Sequence, residues 1–213
     1  MPVTAKICGL STPETVDAAV AGGASHVGFV FFPKSPRNVQ IEQAAALASR
    51  VPPSVKIVGL FVDPEADRID AVRAQVDLDV IQLHGDEQPA LVSRLRTSQG
   101  IEVWKAIPVR ITTDLDQPRR FVGSADRILF DAKARPGAET PGGNGLRFDW
   151  KLLQGFRHPL PWGLSGGLDA DNVAEAVRIT GAELVDVSSG VETAPGVKAV
   201  DKIASFLKAV ASL

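Results

Sequence analysis

The strongest constraint in this sequence is a rhythm. Eight short runs rich in aliphatic and β-branched residues recur along the chain: VTAKIC at 3–8, HVGFVFF at 26–32, VKIVGLFV at 55–62, DVIQLH at 79–84, EVWKAIPV at 102–109, RILFDA at 127–132, PWGLSG at 161–166 and ELVDVSS at 183–189. Between them lie stretches with apolar residues at helical spacing. Val16, Ala19 and Val20 share a face within 12–21, and Val200, Ile203, Leu207 and Val210 share one within 200–210. Thr12 before Pro13 and Asp63 before Pro64 each place a capping side chain ahead of a proline at the first helical position. Repeated βα units of this kind imply a parallel sheet.

An open doubly wound sheet and a closed barrel both fit that alternation, and the polarity of the strand faces separates them. In the first run Val3, Ala5 and Ile7 share one face while Thr4, Lys6 and Cys8 share the other. In the fourth, Ile81 and Leu83 oppose Val80, Gln82 and His84; in the last, Val185 and Val187 oppose Leu184, Asp186 and Ser188. One face is aliphatic throughout, and the other turns polar toward the C-terminal end. A sheet covered by helices on both faces favours near-continuous apolar strands. A barrel packs its outer face on helices and lines an active site with the inward residues at its C-terminal rim. The sequence therefore predicts an α/β chain forming a single-domain (β/α)8 TIM barrel over residues 1–213. Spread over eight units, 213 residues give about 27 each, lean against the ~250 typical of the fold, so short helices and loops are expected.

Composition narrows the partners. A hydrophobic content of 45% with 23% charged residues is ordinary globular usage, and the net charge of −2 provides no basic face for nucleic acid or an anionic membrane. The start MPVTAKICG lacks the basic and long apolar regions of a signal peptide, and no apolar run could span a bilayer, so the expectation is a cytoplasmic protein. A single cysteine, Cys8, excludes an internal disulfide and a multi-thiolate metal site, and His26, His84 and His158 are widely separated.

The residues that could carry chemistry fall after the runs. LSGGLDADN, containing Gly166 and Gly167, and VSSG, containing Ser188, Ser189 and Gly190, are small-residue loops after the seventh and eighth strands, where phosphate commonly binds in this fold. A plain tight turn at Gly166-Gly167 is the alternative. Cys8 ends the first strand on its polar face, with Lys6 two residues before it. A lone cysteine is often an inert buried hydrophobe, but a nearby ammonium would favour thiolate and bring the thiol toward working pH as a base. Asp131 ends RILFDA, where a low-dielectric rim can keep a carboxyl protonated for donation; capping the next segment or pairing with Lys133 are the alternatives. Arg37, on the proline-stiffened FPKSPR, is suited to a planar carboxylate unless it is merely solvated. His84, Gln82 and Asp186 point inward as further candidates, each equally suited to a structural hydrogen bond, and Trp104, Trp150 and Trp162 read as packing residues. Proline and glycine mark irregular stretches at 32–37 and 134–145, both on the C-terminal side of a strand.

KICGL at 6–10, GFVFFPKSPRNV at 28–39, GLFV at 59–62, IQLHGDE at 81–87, FDAK at 130–133, GGNG followed by FDW, LSGGL at 164–168 and DVSSGVE at 186–192, in this order, resemble the phosphoribosylanthranilate isomerase family over nearly the whole chain. The resemblance implies a tryptophan-biosynthesis enzyme that performs an Amadori rearrangement of N-(5-phosphoribosyl)anthranilate to 1-(2-carboxyphenylamino)-1-deoxyribulose 5-phosphate, with no cofactor or metal. It implies Cys8 as general base, Asp131 as general acid, Arg37 as the residue recognising the anthranilate carboxylate, and Gly166, Gly167, Ser188, Ser189 and Gly190 as the phosphate loops. For Asp186 it implies substrate contact only, and His84 is held as a substrate-binding candidate on its inward position alone. The partner is then a small phosphorylated aminosugar; the sequence itself leaves a monomer and a homodimer both open. One departure stands out: GGNGLRFDW replaces the expected GGTGKTFDW, which leaves the ordering of that loop open. Rival readings are a histidine-pathway aminoribotide isomerase, which pairs two aspartates where this chain has Cys8 and Asp131, a metal-dependent pentulose-phosphate epimerase, and a non-catalytic sugar-phosphate-binding barrel.

Overall fold

Eight parallel strands close on themselves in chain order: β1 (Thr4–Cys8), β2 (His26–Val30), β3 (Lys56–Phe61), β4 (Val80–Leu83), β5 (Glu102–Val109), β6 (Arg127–Ala132), β7 (Trp162–Leu164) and β8 (Leu184–Val187). The closing seam pairs β8 with β1 and sets Lys6 opposite Asp186. The structure, a computed structural model, describes residues 2–213 apart from Pro136 and Glu139. The irregular stretch 134–145 read from the sequence thus lies partly outside the described residues.

The connections are short, as the lean length requires. Helices α1 (Pro13–Ala21), α2 (Ile41–Ala48), α3 (Ala66–Arg73) and α4 (Pro89–Gln99) follow the first four strands. Among the described residues, the chain makes only 3-10 turns after β5 and β6, Thr112–Phe121 and Trp150–Leu153. Pro118 lies inside the first of these and has no amide hydrogen for an α-helical ladder. Helices α5 (Val173–Thr180) and α6 (Val200–Ala211) complete the ring, and a two-stranded antiparallel ribbon, β9 (Glu192–Ala194) with β10 (Val197–Lys198), separates β8 from α6. No helix among the described residues is long and apolar enough to cross a membrane.

The alternation of strand faces maps onto separate apolar clusters. Ala5, Ile7, Ile81, Leu83, Val185 and Val187 belong to the large core between barrel and helices. Val58, Val80, Trp104, Ala106, Leu129 and Leu184 form a second cluster inside the barrel, which plugs it and leaves only the C-terminal rim for chemistry. Trp104 and Trp150 are buried as packing residues, and Trp162 stacks on His158 with ring centroids 4.0 Å apart.

Two local expectations require correction. Thr12 does cap α1, accepting from the Thr15 amide, but Asp63 does not cap α3. Its backbone is left-handed, at φ 43°, whereas a capping residue is extended, and its carboxylate instead accepts from the Asp86 amide at 2.7 Å. Val200 is 47% exposed, so the buried stripe of α6 is Ile203, Phe206, Leu207 and Val210. Helical side chains lean toward the N-terminus, and a first-position residue therefore projects past the end of its own helix.

Candidate active site

Cys8, Arg37, His84, Asp131, Asp186 and Ser188 line one cavity at the C-terminal rim, with Val30, Phe32, Leu60 and Val62 as its apolar wall. Strand geometry produces this convergence, because every second residue points inward and the last inward position of each strand reaches the rim. Residues 140–143 roof the cavity. A Cβ on Gly142 would stand 2.6 Å from Asp131 Oδ2 and 2.8 Å from His84 Nε2, so any larger residue would push the carboxyl–imidazole pair or the roof aside.

Asp131 is buried and fixed at both oxygens. Oδ1 accepts from the Ala132 amide at 2.8 Å, and Oδ2 lies 2.9 Å from His84 Nε2. On the far side of the imidazole, the Gln82 amide nitrogen is 3.5 Å from Nδ1. The alternative pairing with Lys133 is ruled out, because that lysine turns to Asp114 at 3.7 Å.

Beneath the thiol, Lys6 donates to Asp186 Oδ1 at 2.9 Å, and both side chains are buried. A Cβ on Gly28 would lie 3.1 Å from Cys8 Sγ and 3.2 Å from Lys6 Cε, so the thiol and the end of the lysine flank the space that glycine leaves open. Burial pushes the Cys8 thiol above its ordinary value; Lys6 pulls it down, and Asp186 pushes it up again. The expectation that Lys6 would bring the thiol toward neutrality is corrected here: desolvation dominates, and the lysine's charge is already shared with Asp186.

Arg37 is neither solvated nor free along its forked edge. Nε donates to Glu192 Oε1 at 2.7 Å and Nη2 to Glu192 Oε2 at 2.8 Å, while Nη2 also donates to the Gly143 carbonyl at 2.9 Å. Glu192 in turn accepts from Lys198 Nζ at 2.8 Å, and the same ammonium donates to the Ser188 carbonyl and hydroxyl at 2.9 and 3.1 Å. Sequence reasoning missed Glu192 and Lys198; the only cue was that Glu192 closes the DVSSGVE block.

A second cavity adjoins the first and shares Asp131, Gly143, Ser165, Asp186 and Ser188 with it. Gly166, Gly167, Leu168 and Ser189 line it. Gly166 and Gly167 have φ of 91° and 65°, a conformation other residues rarely adopt, and it turns the loop tightly against β6. Asn172 stiffens this loop, donating to the Gly167 carbonyl at 3.0 Å and accepting from the Asp169 amide at 3.1 Å. Gly190 does not line either cavity. A Cβ there would overlap the Leu168 carbonyl oxygen, which places Gly190 where the loops after β7 and β8 touch backbone to backbone. In the departing loop, Asn144 bonds back to Thr140, donating to its carbonyl at 3.1 Å and accepting from its hydroxyl at 3.2 Å, while Arg147 lies over the Trp150 ring at 5.7 Å.

Comparison with known proteins points the same way. A family model for N-(5'phosphoribosyl)anthranilate (PRA) isomerase matches residues 5–209. The N-(5'-phosphoribosyl)anthranilate isomerase of Zymomonas mobilis subsp. pomaceae is 55% identical over 211 residues, 99% of this chain and 99% of that protein. Among solved structures, phosphoribosyl anthranilate isomerase from Thermotoga maritima superposes with a TM-score of 0.85 at 37% identity, covering 99% of this chain and 100% of its own. A phosphoribosyl anthranilate isomerase in complex with reduced 1-(o-carboxyphenylamino)-1-deoxyribulose 5-phosphate gives 0.81 at 36% identity, with the same coverage. Matched from its first strand to its last helix, this chain belongs to the N-(5'-phosphoribosyl)anthranilate isomerase family.

Proposed function

We propose that the chain isomerises N-(5-phosphoribosyl)anthranilate to 1-(2-carboxyphenylamino)-1-deoxyribulose 5-phosphate, with Asp131 as general acid and Cys8 as general base. One observation carries the reading. A thiol, a carboxyl and a guanidinium line a single cavity, and a glycine-rich loop pair lines a second cavity that adjoins it and shares the carboxyl. The related isomerase's ligand carries a carboxyphenyl group and a phosphate, and the two subsites suit that pair. Arg37 Nη1, left over from the Glu192 clamp, would take the carboxylate while Val30, Phe32, Leu60 and Val62 cover the ring. The Gly166-Gly167 and Ser188-Ser189 loops would take the phosphate on backbone amides.

In this reading Asp131 protonates the furanose ring oxygen and the ring opens to a protonated Schiff base. Cys8, as thiolate, removes the C2 proton to give an enolamine, which tautomerises to the ketone. His84 Nε2 holds the Asp131 carboxyl toward the ring oxygen from 2.9 Å. A thiolate raised by burial is a stronger base than one in water but is formed by a smaller fraction of molecules, and Lys6 limits that loss. The roof at Gly142 and Gly143 keeps water off the open-chain intermediate.

The test is turnover of the anthranilate ribotide by the purified chain, followed by loss of its fluorescence. No rate above the uncatalysed background would refute the assignment. The aminoribotide of the histidine pathway serves as the competing substrate, and preferential turnover of it would favour that reading instead.

A further inference from the structure

We infer that Glu192 is a positioning residue that aims Arg37 at the substrate carboxylate and so helps set selectivity for a carboxylated aromatic amine. The inference rests on the reading of Arg37 given above and extends it to a residue that lies outside the cavity holding the thiol and the carboxyl.

Arginine carries five donors in a planar fork and four mobile bonds in its stem, so an unheld guanidinium samples many orientations. Here both hydrogen bonds along the Nε–Nη2 edge go to Glu192, which fixes the plane of the group and turns Nη1 away from the carboxylate. Gly143 accommodates that orientation, since a Cβ there would come within 2.5 Å of Nη1. Glu192 is itself anchored. Lys198 bonds its Oε1, and Lys202 donates to its backbone carbonyl at 2.7 Å. Burial alone would raise the Glu192 carboxyl, yet Arg37 and Lys198 hold it below its ordinary value, so it remains an anion.

Arg37, Lys198 and Glu192 together carry two positive charges against one negative charge, all in buried side chains. Burying an uncompensated charge is unfavourable, and an incoming carboxylate would complete the balance. Glu192 thus does two jobs: it orients one cation, and it keeps the cluster one charge short rather than two.

The experiment compares kcat/KM for N-(5-phosphoribosyl)anthranilate with that for N-(5-phosphoribosyl)aniline, which lacks only the carboxylate, in wild type, R37A and E192Q. E192Q is expected to lower the anthranilate-to-aniline ratio by about 10- to 100-fold, the scale of loss when a binding group is misplaced by around an ångström. The loss should fall mainly on KM for the anthranilate compound, with the aniline compound nearly unaffected. If E192Q proves insoluble, E192Q/K198M preserves the net charge of the cluster and is read by the same ratio. An unchanged ratio in the Glu192 variant, with R37A lowering it, overturns the inference and leaves Arg37 as the carboxylate site. An unchanged ratio in R37A overturns the Arg37 reading itself.

Discussion

Asp131 on β6 and His84 at the end of β4 meet at the barrel mouth, Oδ2 to Nε2 at 2.9 Å, under a roof whose Gly142 leaves no room for a Cβ above them. A carboxyl pinned in this way has one orientation available for proton transfer. Asp131→Asn is expected to lower kcat by ~10²–10⁴-fold with KM changed only a few-fold, and Cys8→Ala to do the same. His84→Ala, which leaves the acid in place but unaimed, should lose less than either. Steady-state kinetics on the three purified variants checks this, and near wild-type kcat in both Asp131→Asn and Cys8→Ala would remove them from the mechanism.

Because Cys8 is the chain's only cysteine, its ionisation can be read directly from the pH dependence of alkylation by iodoacetamide. The midpoint is expected above the ~8.5 of a free thiol, since burial outweighs Lys6. Removing the cation in Lys6→Met disfavours the thiolate and should move the midpoint further up. A wild-type midpoint at or below the free-thiol value, or a downward move in Lys6→Met, contradicts this electrostatic account.

Gly190→Ala should weaken phosphate recognition although residue 190 lies behind the cavity. The new Cβ overlaps the Leu168 carbonyl, and the loops after β7 and β8 would have to part. Overpacking of this kind costs about 1–3 kcal/mol. Inhibition by inorganic phosphate is expected to weaken and KM for the ribotide to rise; a variant with wild-type values for both would show that the two loops tolerate separation.

His26 points into the barrel beneath the site, with Ser25 Oγ 2.8 Å from Nδ1 and the Trp104 ring 5.1 Å away. Burial, with Lys6 adding to it, pushes its pKa down to about 4. The unfolded chain, with an ordinary value of ~6.5, then binds the proton more tightly than the folded one. Stability is therefore full above pH ~6.5 and is lost as pH falls toward 4, by about 3 kcal/mol for this residue. Urea unfolding across that window should show a shallower pH slope in His26→Gln than in wild type, and equal slopes would place the acid sensitivity elsewhere.

By itself the sequence determined what depends on neighbours along the chain. Backbone geometry alternates strand side chains and repeats helical ones every 3.6 residues, so the eight strands, their inward faces and the rim positions of Cys8, Asp131 and Asp186 were all legible. Even there, local rules failed where the chain turned back on itself, as at Asp63, whose left-handed backbone serves the Asp86 amide rather than a helix. Only the tertiary structure decided the partners. Glu192 meets Arg37 across 155 residues, Asp186 meets Lys6 across 180, and His84 meets Asp131 across 47. Closing the barrel brings these groups together, and no periodicity carries that information, because the strength of a hydrogen bond or the burial of a thiol depends on distance in space and not on separation along the chain.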